Sequence, residues 1–452
     1  MTDYRVRTDL ASTLPAATDR VLDWAPGNPA STIQIGRRSG GRYFSGWRAP
    51  RPALDLMLLG AAAYCVDKAT LRSDTDDQWT RDLAIKLPVG DPTTWGAAEW
   101  TPALNFLTGD RWNIQPYAET RSPLDGLKGV PDQVTPVAEV DAVCLFSGGL
   151  DSLTGVIDLL ENDADLRLCL LSHHEGDQAS TAQQALLAEL KSHYGSERLV
   201  SQRLFLRPAP ANRSQARPLP SLRENTTRAR SLLFLCTALA VAASVGPSTP
   251  VYIPENGFIG INVPLTRARS GSFSTRTTHP HFLALLAEAA RAVGVNNPVM
   301  NPFRLKTKGE ILKQSGNAPL LRKLAPRSIS CSHPEAARYV RRPQGNCGYC
   351  FPCLIRRASM ASVGWDSAAS YAWDALSGAD LLDRNTRRAA DLRAVINGVF
   401  ADRPDREILR NGPIPAGEHN EFLRVWRTGL DELCDWFGTA TGETARLIEA
   451  LK

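Results

Sequence analysis

The sequence predicts an α/β protein with a doubly wound parallel sheet at its centre. Three observations carry that expectation. Short apolar runs alternate with helical patterns between residues 140 and 293; a Gly-rich turn follows the first run directly; and Trp and charge divide the 452 residues into stretches of different character.

Val140–Phe146, apolar but for Asp141, has the pattern of a buried strand, and Ser152–Glu161 that of a helix. The alternation continues with a strand at Leu166–Ser172, a helix at Asp177–Tyr194 and a strand at Leu199–Leu206. A helix at Ala229–Val245, a strand at Val251–Pro254 and a helix at Pro280–Val293 complete it. In such sheets the ligand sits beyond the carboxyl ends of the strands, so the turns after them matter most. Before this region, Thr32–Ile35 and Arg81–Val89 read as strands and Pro52–Lys68 as an amphipathic helix. Ser122–Pro136, with three Pro and two Gly, reads as a linker. The last ninety residues look helical, with a Pro/Gly break at Asn411–Gly417.

Six of the ten Trp lie in residues 1–112 and four in 365–436, with none between. The expected organisation is therefore an N-terminal α+β accessory domain (1–135), a central domain (138–360) and a C-terminal helical region (361–452). Hydrophobic residues at 43% and charged residues at 22% exclude a disordered or fibrous chain. The longest nearly apolar run, Leu232–Val245, falls short of the ~18 residues a membrane span needs. The first twenty residues have no apolar segment, so a soluble cytoplasmic protein is expected.

The net charge of +5 is unevenly spread. Residues 136–200 carry 3 basic and 11 acidic side chains, whereas 201–357 carry 23 and 5 and contain no Asp. A block this basic points to an anionic ligand, either nucleotide phosphates or a nucleic-acid backbone; the Arg-rich stretch 203–230 reads equally well as a solvated surface.

Of nine Cys, five (Cys65, Cys144, Cys169, Cys236, Cys434) are isolated and read as small core hydrophobes. Cys331, Cys347, Cys350 and Cys353 fall within 23 residues. Four thiolates at that spacing suit tetrahedral Zn²⁺, with an iron–sulfur cluster as the alternative. His333 reads as a neighbour of the site rather than a ligand.

The strongest local signal is Ser147-Gly148-Gly149-Leu150-Asp151-Ser152, between a buried strand and a helix. Two Gly let the backbone turn tightly and bring N–H groups against an anion, and the helix N-terminus adds partial positive charge. Ser147 and Ser152 add hydroxyls. A carboxylate beside phosphate needs a bridging cation, so Asp151 implies Mg²⁺. The loop is not a Walker A motif, whose GxxxxGKS/T spacing and Lys are absent. Arg outnumbers Lys 43 to nine, yet Lys306, Lys308, Lys313 and Lys323 fall within eighteen residues. Lys308 is the best candidate for a compact charge on phosphate; Lys313 and Lys323 fit a solvated helix face. Arg228 and Arg230 open a helix, where they either reach phosphate or remain on the surface. Glu255, Asn256 and Phe258 follow a strand, where they either read and stack on a purine-like base or form a plain turn.

The Ser147–Ser152 loop resembles that of the PP-loop ATP pyrophosphatases. Together with Thr307-Lys308-Gly309-Glu310-Ile311 and the Cys347–Cys353 spacing, it makes residues 138–360 similar to the QueC family of 7-cyano-7-deazaguanine synthases. Arg230-Ser231 and His279-Pro280-His281-Phe282 match further elements of that family in part, and Glu175–Gln178 lacks the Tyr of its YGQ element. The resemblance implies an adenine nucleotide alpha hydrolase-like fold and ATP, Mg²⁺ and Zn²⁺ as cofactors. It also implies adenylation of the carboxylate of 7-carboxy-7-deazaguanine, followed by transfer of the acyl group to an amine. It gives catalytic roles to Asp151, Ser152 and Lys308, with nucleotide binding by Ser147, Gly148, Gly149 and Arg230. Glu255, Asn256, Phe258, Arg276 and His279 are the candidate substrate residues. The extra length resembles QueC-like proteins of bacterial anti-phage systems, in which the acceptor is thought to be the N-terminal amine of a partner protein rather than ammonia. A tRNA-modifying PP-loop enzyme and a nucleotide-binding scaffold without turnover are the other readings.

Overall fold

A computed structural model of the chain describes residues 1–17, 19–36, 44, 47–125, 139–175, 179–265, 275–341, 345–379, 381–382 and 389–451. Gly176–Gln178 and most of the expected linker lie outside them.

The strands of the N-terminal part are β1 (Thr2–Arg7), β2 (Arg20–Asp23), β3 (Ile33–Ile35), β4 (Asp82–Val89) and β5 (Arg111–Ala118). Its helices are α1 (Arg51–Ala69), α2 (Pro92–Ala97) and α3 (Trp100–Thr108). Four strands form a sheet in the order β2-β1-β4-β5, every neighbouring pair parallel. The region is thus α/β in its own right, rather than the mixed α+β domain expected.

The central part contributes β6 (Ala142–Leu145), α4 (Leu150–Asn162), β7 (Leu168–His174), α5 (Ala179–Tyr194), β8 (Leu199–Pro208), α6 (Arg230–Val245), β9 (Val251–Tyr252), α7 (Gly257–Ile261), α8 (Pro280–Ala292), β10 (Val299–Met300), α9 (Lys308–Lys313), α10 (Ala318–Leu324) and α11 (Phe351–Ala361). Helices α12 (Ala390–Val399), α13 (His419–Phe437) and α14 (Gly442–Glu449) follow. The sheet order is β10-β9-β6-β7-β8-β3, parallel except at β3, which the N-terminal region adds antiparallel to the β8 edge. The chain leaves β6 toward β7 and β8, then crosses back to β9 on the other side. The order therefore reverses between β6 and β9, where α/β sheets open a ligand crevice.

Alternation along the strands explains the helices on both faces. Val143, Leu145, Cys169 and Leu171 point to one side and share a core with α1 and α6. Ala142, Cys144, Phe146, Leu168 and Leu170 point to the other, against α4, α5 and α10. Helix α1 departs from the amphipathic pattern: 16 of its 19 residues are buried, because β4 covers one side and α6 the other. At Gly60 an added Cβ would stand 2.9 Å from the Cβ of Cys236 and 3.1 Å from the Cα of Leu233. The N-terminal part, expected as an accessory domain, thus shares one core with the central sheet. A third core unites α7, α11, α12 and α13.

Four of the five isolated Cys are buried as expected; Cys434 is exposed on α13. The Arg-rich stretch is neither a plain solvated surface nor a free basic face. Arg217 donates to the carbonyls of Pro15, Ala16 and Asp19, Arg207 to the Gln34 amide and Arg223 to the Ala209 carbonyl. Arg207 and Arg217 thereby tie this stretch to the N-terminal region. Among the described residues, no helix is long and apolar enough to cross a membrane.

Candidate active site and metal centre

The Ser147–Ser152 turn lies at the carboxyl end of β6, beside the point where strand order reverses. Gly148 has φ +80°, and a Cβ there would meet Gln183 Cγ at 3.0 Å, so both backbone and space require glycine. Gln183 donates to the Ser147 carbonyl, and Ile329 N–H to that of Gly148 (3.0 Å). The N–H groups of Gly149 and Leu150 donate to the hydroxyls of Ser147 (3.2 Å) and Ser330 (3.1 Å). They are N–H groups of a loop at a helix N-terminus, met by neutral oxygens where an anion's oxygens would fit.

The turn borders a cavity of about 510 Å³. Its wall includes Ser147, Gly149, Asp151 and Ser152 from the turn and α4, His173 from β7, and Arg228 and Arg230 at the start of α6. Glu255 after β9, Arg276 and Thr278 before α8, and Lys308 at the start of α9 also line it. Leu107 of α3 closes one side, so the N-terminal region builds part of the site. Four cationic side chains converge here against two carboxylates, and that excess favours a polyanionic ligand.

Asp151 is 8% exposed and fully engaged. Its Oδ2 accepts from Asn256 Nδ2 (2.6 Å) and Asn256 N–H (3.2 Å), and its Oδ1 pairs with the Lys308 ammonium. In this arrangement the Lys308 ammonium occupies the Asp151 carboxylate, the group expected to hold Mg²⁺. Lys308 is held by Thr307, which caps α9 in a reciprocal capping box with Glu310. Half-buried Glu432 of α13 accepts from the Thr307 hydroxyl, Gly309 N–H and Ser359 Oγ. Sequence reasoning missed Glu432, since nothing near it signals a site 124 residues earlier.

Arg230 donates Nε to His173 Nδ1 (3.0 Å) and NH2 to the His173 carbonyl. The other ring nitrogen of His173 lies 2.8 Å from the Leu206 carbonyl. Burial and the adjacent guanidinium lower the His173 pKa to about 3, so it stays neutral and accepts from Arg230. His173 was also missed; its place at the carboxyl end of the second parallel strand was the available signal. Arg228 has its backbone N–H on Asp67 Oδ2 and its guanidinium over Trp79, and burial lowers its pKa to about 10. Arg276 donates to Asn411 Oδ1 and the Phe106 carbonyl, and burial lowers its pKa.

Three substrate candidates are placed differently from expectation. Asn256 uses both ends of its amide, donating to Asp151 and accepting Ile259 N–H as the cap of α7. Phe258 turns away from the cavity and packs against Gly429 of α13. His279 is buried outside the cavity wall, 5.1 Å from the Phe106 ring, with Nε2 lacking a hydrogen-bond partner among the described residues. Only Glu255 and Arg276 of that set border the cavity. The remaining Lys residues behave as surface groups: Lys323 pairs with Glu189, and Lys306 lies over Phe303.

The thiols of Cys331, Cys347, Cys350 and Cys353 all lie within 4.8 Å of one another, with Sγ–Sγ distances of 3.8 Å (Cys331–Cys350) and 3.9 Å (Cys347–Cys353). Bond lengths of ~2.3 Å around tetrahedral Zn²⁺ give edges of roughly 3.8 Å, so the set fits one ion. A multi-iron cluster would hold its ligands farther apart. Backbone N–H groups of Ser332, His333, Cys347 and Cys350 donate to these sulfurs at 3.2–3.4 Å, offsetting thiolate charge. Gly348 (φ +90°) makes the turn between ligands. His333 supplies only its backbone N–H, its ring stacking on Tyr349.

The metal centre and the loop are joined through Ser328–Cys331. Ser330 Oγ accepts Leu150 N–H, Ile329 N–H reaches Gly148, and Asn346, next to Cys347, bonds both Ser330 N–H and the Ser328 carbonyl.

No known protein-family model matches the chain, and no curated protein matches its sequence.

Proposed function

We infer that the protein uses ATP to adenylate a carboxylate, that of 7-carboxy-7-deazaguanine or a close relative, and passes the acyl group to an amine. The observation that carries this reading is the Ser147–Ser152 loop at the sheet's reversal point, facing a 510 Å³ cavity ringed by Arg228, Arg230, Arg276 and Lys308. The loop N–H groups and Lys308 hold the polyphosphate, Ser147 and Ser152 orient it, and the arginines offset the charge that builds as pyrophosphate leaves. Catalysis of this kind is mainly positioning and electrostatic stabilisation. The acceptor is the N-terminal amine of a partner protein, in keeping with the resemblance to the long anti-phage QueC-like proteins; ammonia, giving the nitrile, is the alternative. An RNA substrate loses support because the Arg-rich stretch is consumed by contacts within the chain.

The test is incubation with ATP, Mg²⁺ and 7-carboxy-7-deazaguanine, with ammonia or the proteins encoded beside it, followed by mass spectrometry. The reading expects AMP and either a labelled protein N-terminus or a free nitrile, with AMP formation falling at least ~100-fold in Lys308→Met. Absence of AMP from every mixture overturns it.

A further inference from the structure

We propose that Glu255 is the proton acceptor of the amine-transfer step, a catalytic carboxylate for the second half of the reaction. This rests on the adenylation reading above and gives Glu255 a role other than recognition of a base edge.

The geometry isolates this side chain from the usual fate of a buried carboxylate. Its backbone is clamped by Asn301, which accepts Glu255 N–H (3.3 Å) and donates to the Glu255 carbonyl (2.8 Å). The carboxylate is thus held at the cavity wall, one residue before the Asn256 that anchors Asp151. Thr278 Oγ1 donates to Oε2. No salt bridge engages Glu255 among the described residues, and the Lys308 ammonium contacts Asp151 instead. The charged groups around it are Asp151 on α4 and Lys308 on α9, with Arg276 in its own wall and Arg228 and Arg230 across the cavity at the start of α6. Burial, with a smaller contribution from Asp151, pushes the Glu255 carboxyl up to about 7, against the Thr278 hydrogen bond and Lys308. A base in that range is matched to proton transfer at neutral pH.

The step balances without a further reactant. The amine arrives as an ammonium and gives one proton to the Glu255 carboxylate. The freed lone pair forms a C–N bond to the acyl carbon, and the C–O bond to phosphate breaks with its electron pair leaving on AMP. The second N–H proton passes to solvent, and Glu255 later releases its own.

The test separates the two half-reactions. Exchange of labelled pyrophosphate into ATP, driven by 7-carboxy-7-deazaguanine, reports adenylation and needs no amine; amide formation from ammonium reports transfer. Glu255→Gln should keep exchange and the KM for the deazaguanine within about twofold and lose transfer by roughly 100-fold or more. Wild-type transfer should rise with pH and level off above about 7, whereas the variant's should start far lower and keep rising as free ammonia accumulates. Hydroxylamine, whose nitrogen is unprotonated at neutral pH, should restore the variant to within about tenfold of wild type. Thr278→Val, which removes a hydrogen bond to the charged form, should move the wild-type midpoint upward. Transfer from ammonium at the wild-type rate in Glu255→Gln overturns the proposal. So does parallel loss of exchange and transfer, which would make Glu255 a substrate-binding group. Absence of exchange in the wild type instead overturns the adenylation reading, and the proposal with it.

Discussion

Asp151 and Lys308 show how much a single pair decides at this site. Their side chains are 11% and 6% exposed, 157 residues apart in sequence, and in direct contact. Removing one partner leaves the other charge enclosed without compensation, a loss of about 3 kcal/mol or more, whereas removing both together costs much less. Denaturant unfolding should therefore find Lys308→Met strongly destabilised and Asp151→Asn/Lys308→Met substantially recovered; additive losses would mean the pair carries no coupling. Glu255 gives a second prediction at this scale. Its carboxyl is raised from the ordinary carboxylate value to about 7, so the folded state holds a proton that the unfolded chain has already released. Folding stability contributed at this residue is therefore present at acidic pH and lost as pH climbs toward and through 7. Glu255→Gln should raise the melting temperature more at pH 8 than at pH 5, and equal shifts would refute it. Asp151 and Lys308 were legible from motif and composition, because Gly-rich turns and a Lys among many Arg leave a local signature. The outward turn of Phe258 was not, since the sequence at 255–258 does not say that α13 will pass behind it.

At the scale of elements, the four-cysteine cluster and the loop are joined as one assembly. Four cysteines identify the centre in the sequence, but its mechanical role comes from the short path Cys331–Ser330–Leu150, which no spacing rule announces. Metal binding supplies folding free energy to the segment that ligates it. Chelation, or Cys347→Ser, should therefore increase amide hydrogen exchange at Ile329, Ser330 and Leu150 along with the cysteine segment. If exchange rises only at 331–353 while the loop keeps its protection, the coupling is absent. Periodicity located most central helices and strands to within a few residues, because their apolar faces are consistently buried. It missed β1, β2 and β5, whose Tyr, Arg and Gln side chains break the apolar pattern while the backbone still pairs.

Across the whole molecule, no packing boundary falls near residue 135, because α1 is buried on every side. A helix buried all round cannot belong to a surface domain: it needs the N-terminal sheet on one face and α6 on the other. Trp content and charge divide the sequence, but they describe surfaces and ligands, whereas the boundary is decided by what α1 packs against. The same contact reaches the site, since Asp67 on α1 accepts the N–H groups of Arg228 and Ala229 and is paired with Arg81. At Gly60 the two halves approach so closely that a side chain has no room against Cys236 and Leu233. Gly60→Val must separate α1 from α6, at a cost of about 1–3 kcal/mol for overpacking and a further fraction for the β-branched residue in a helix. Because residues 1–125 and the central sheet share one core, that cost should appear in a single transition shifted as a whole. Fluorescence from Trp24 and Trp112 in the N-terminal part, and from Trp426 and Trp436 in the C-terminal part, should fall together in denaturant. An early transition confined to the N-terminal Trp would restore the independent domain that the packing of α1 argues against.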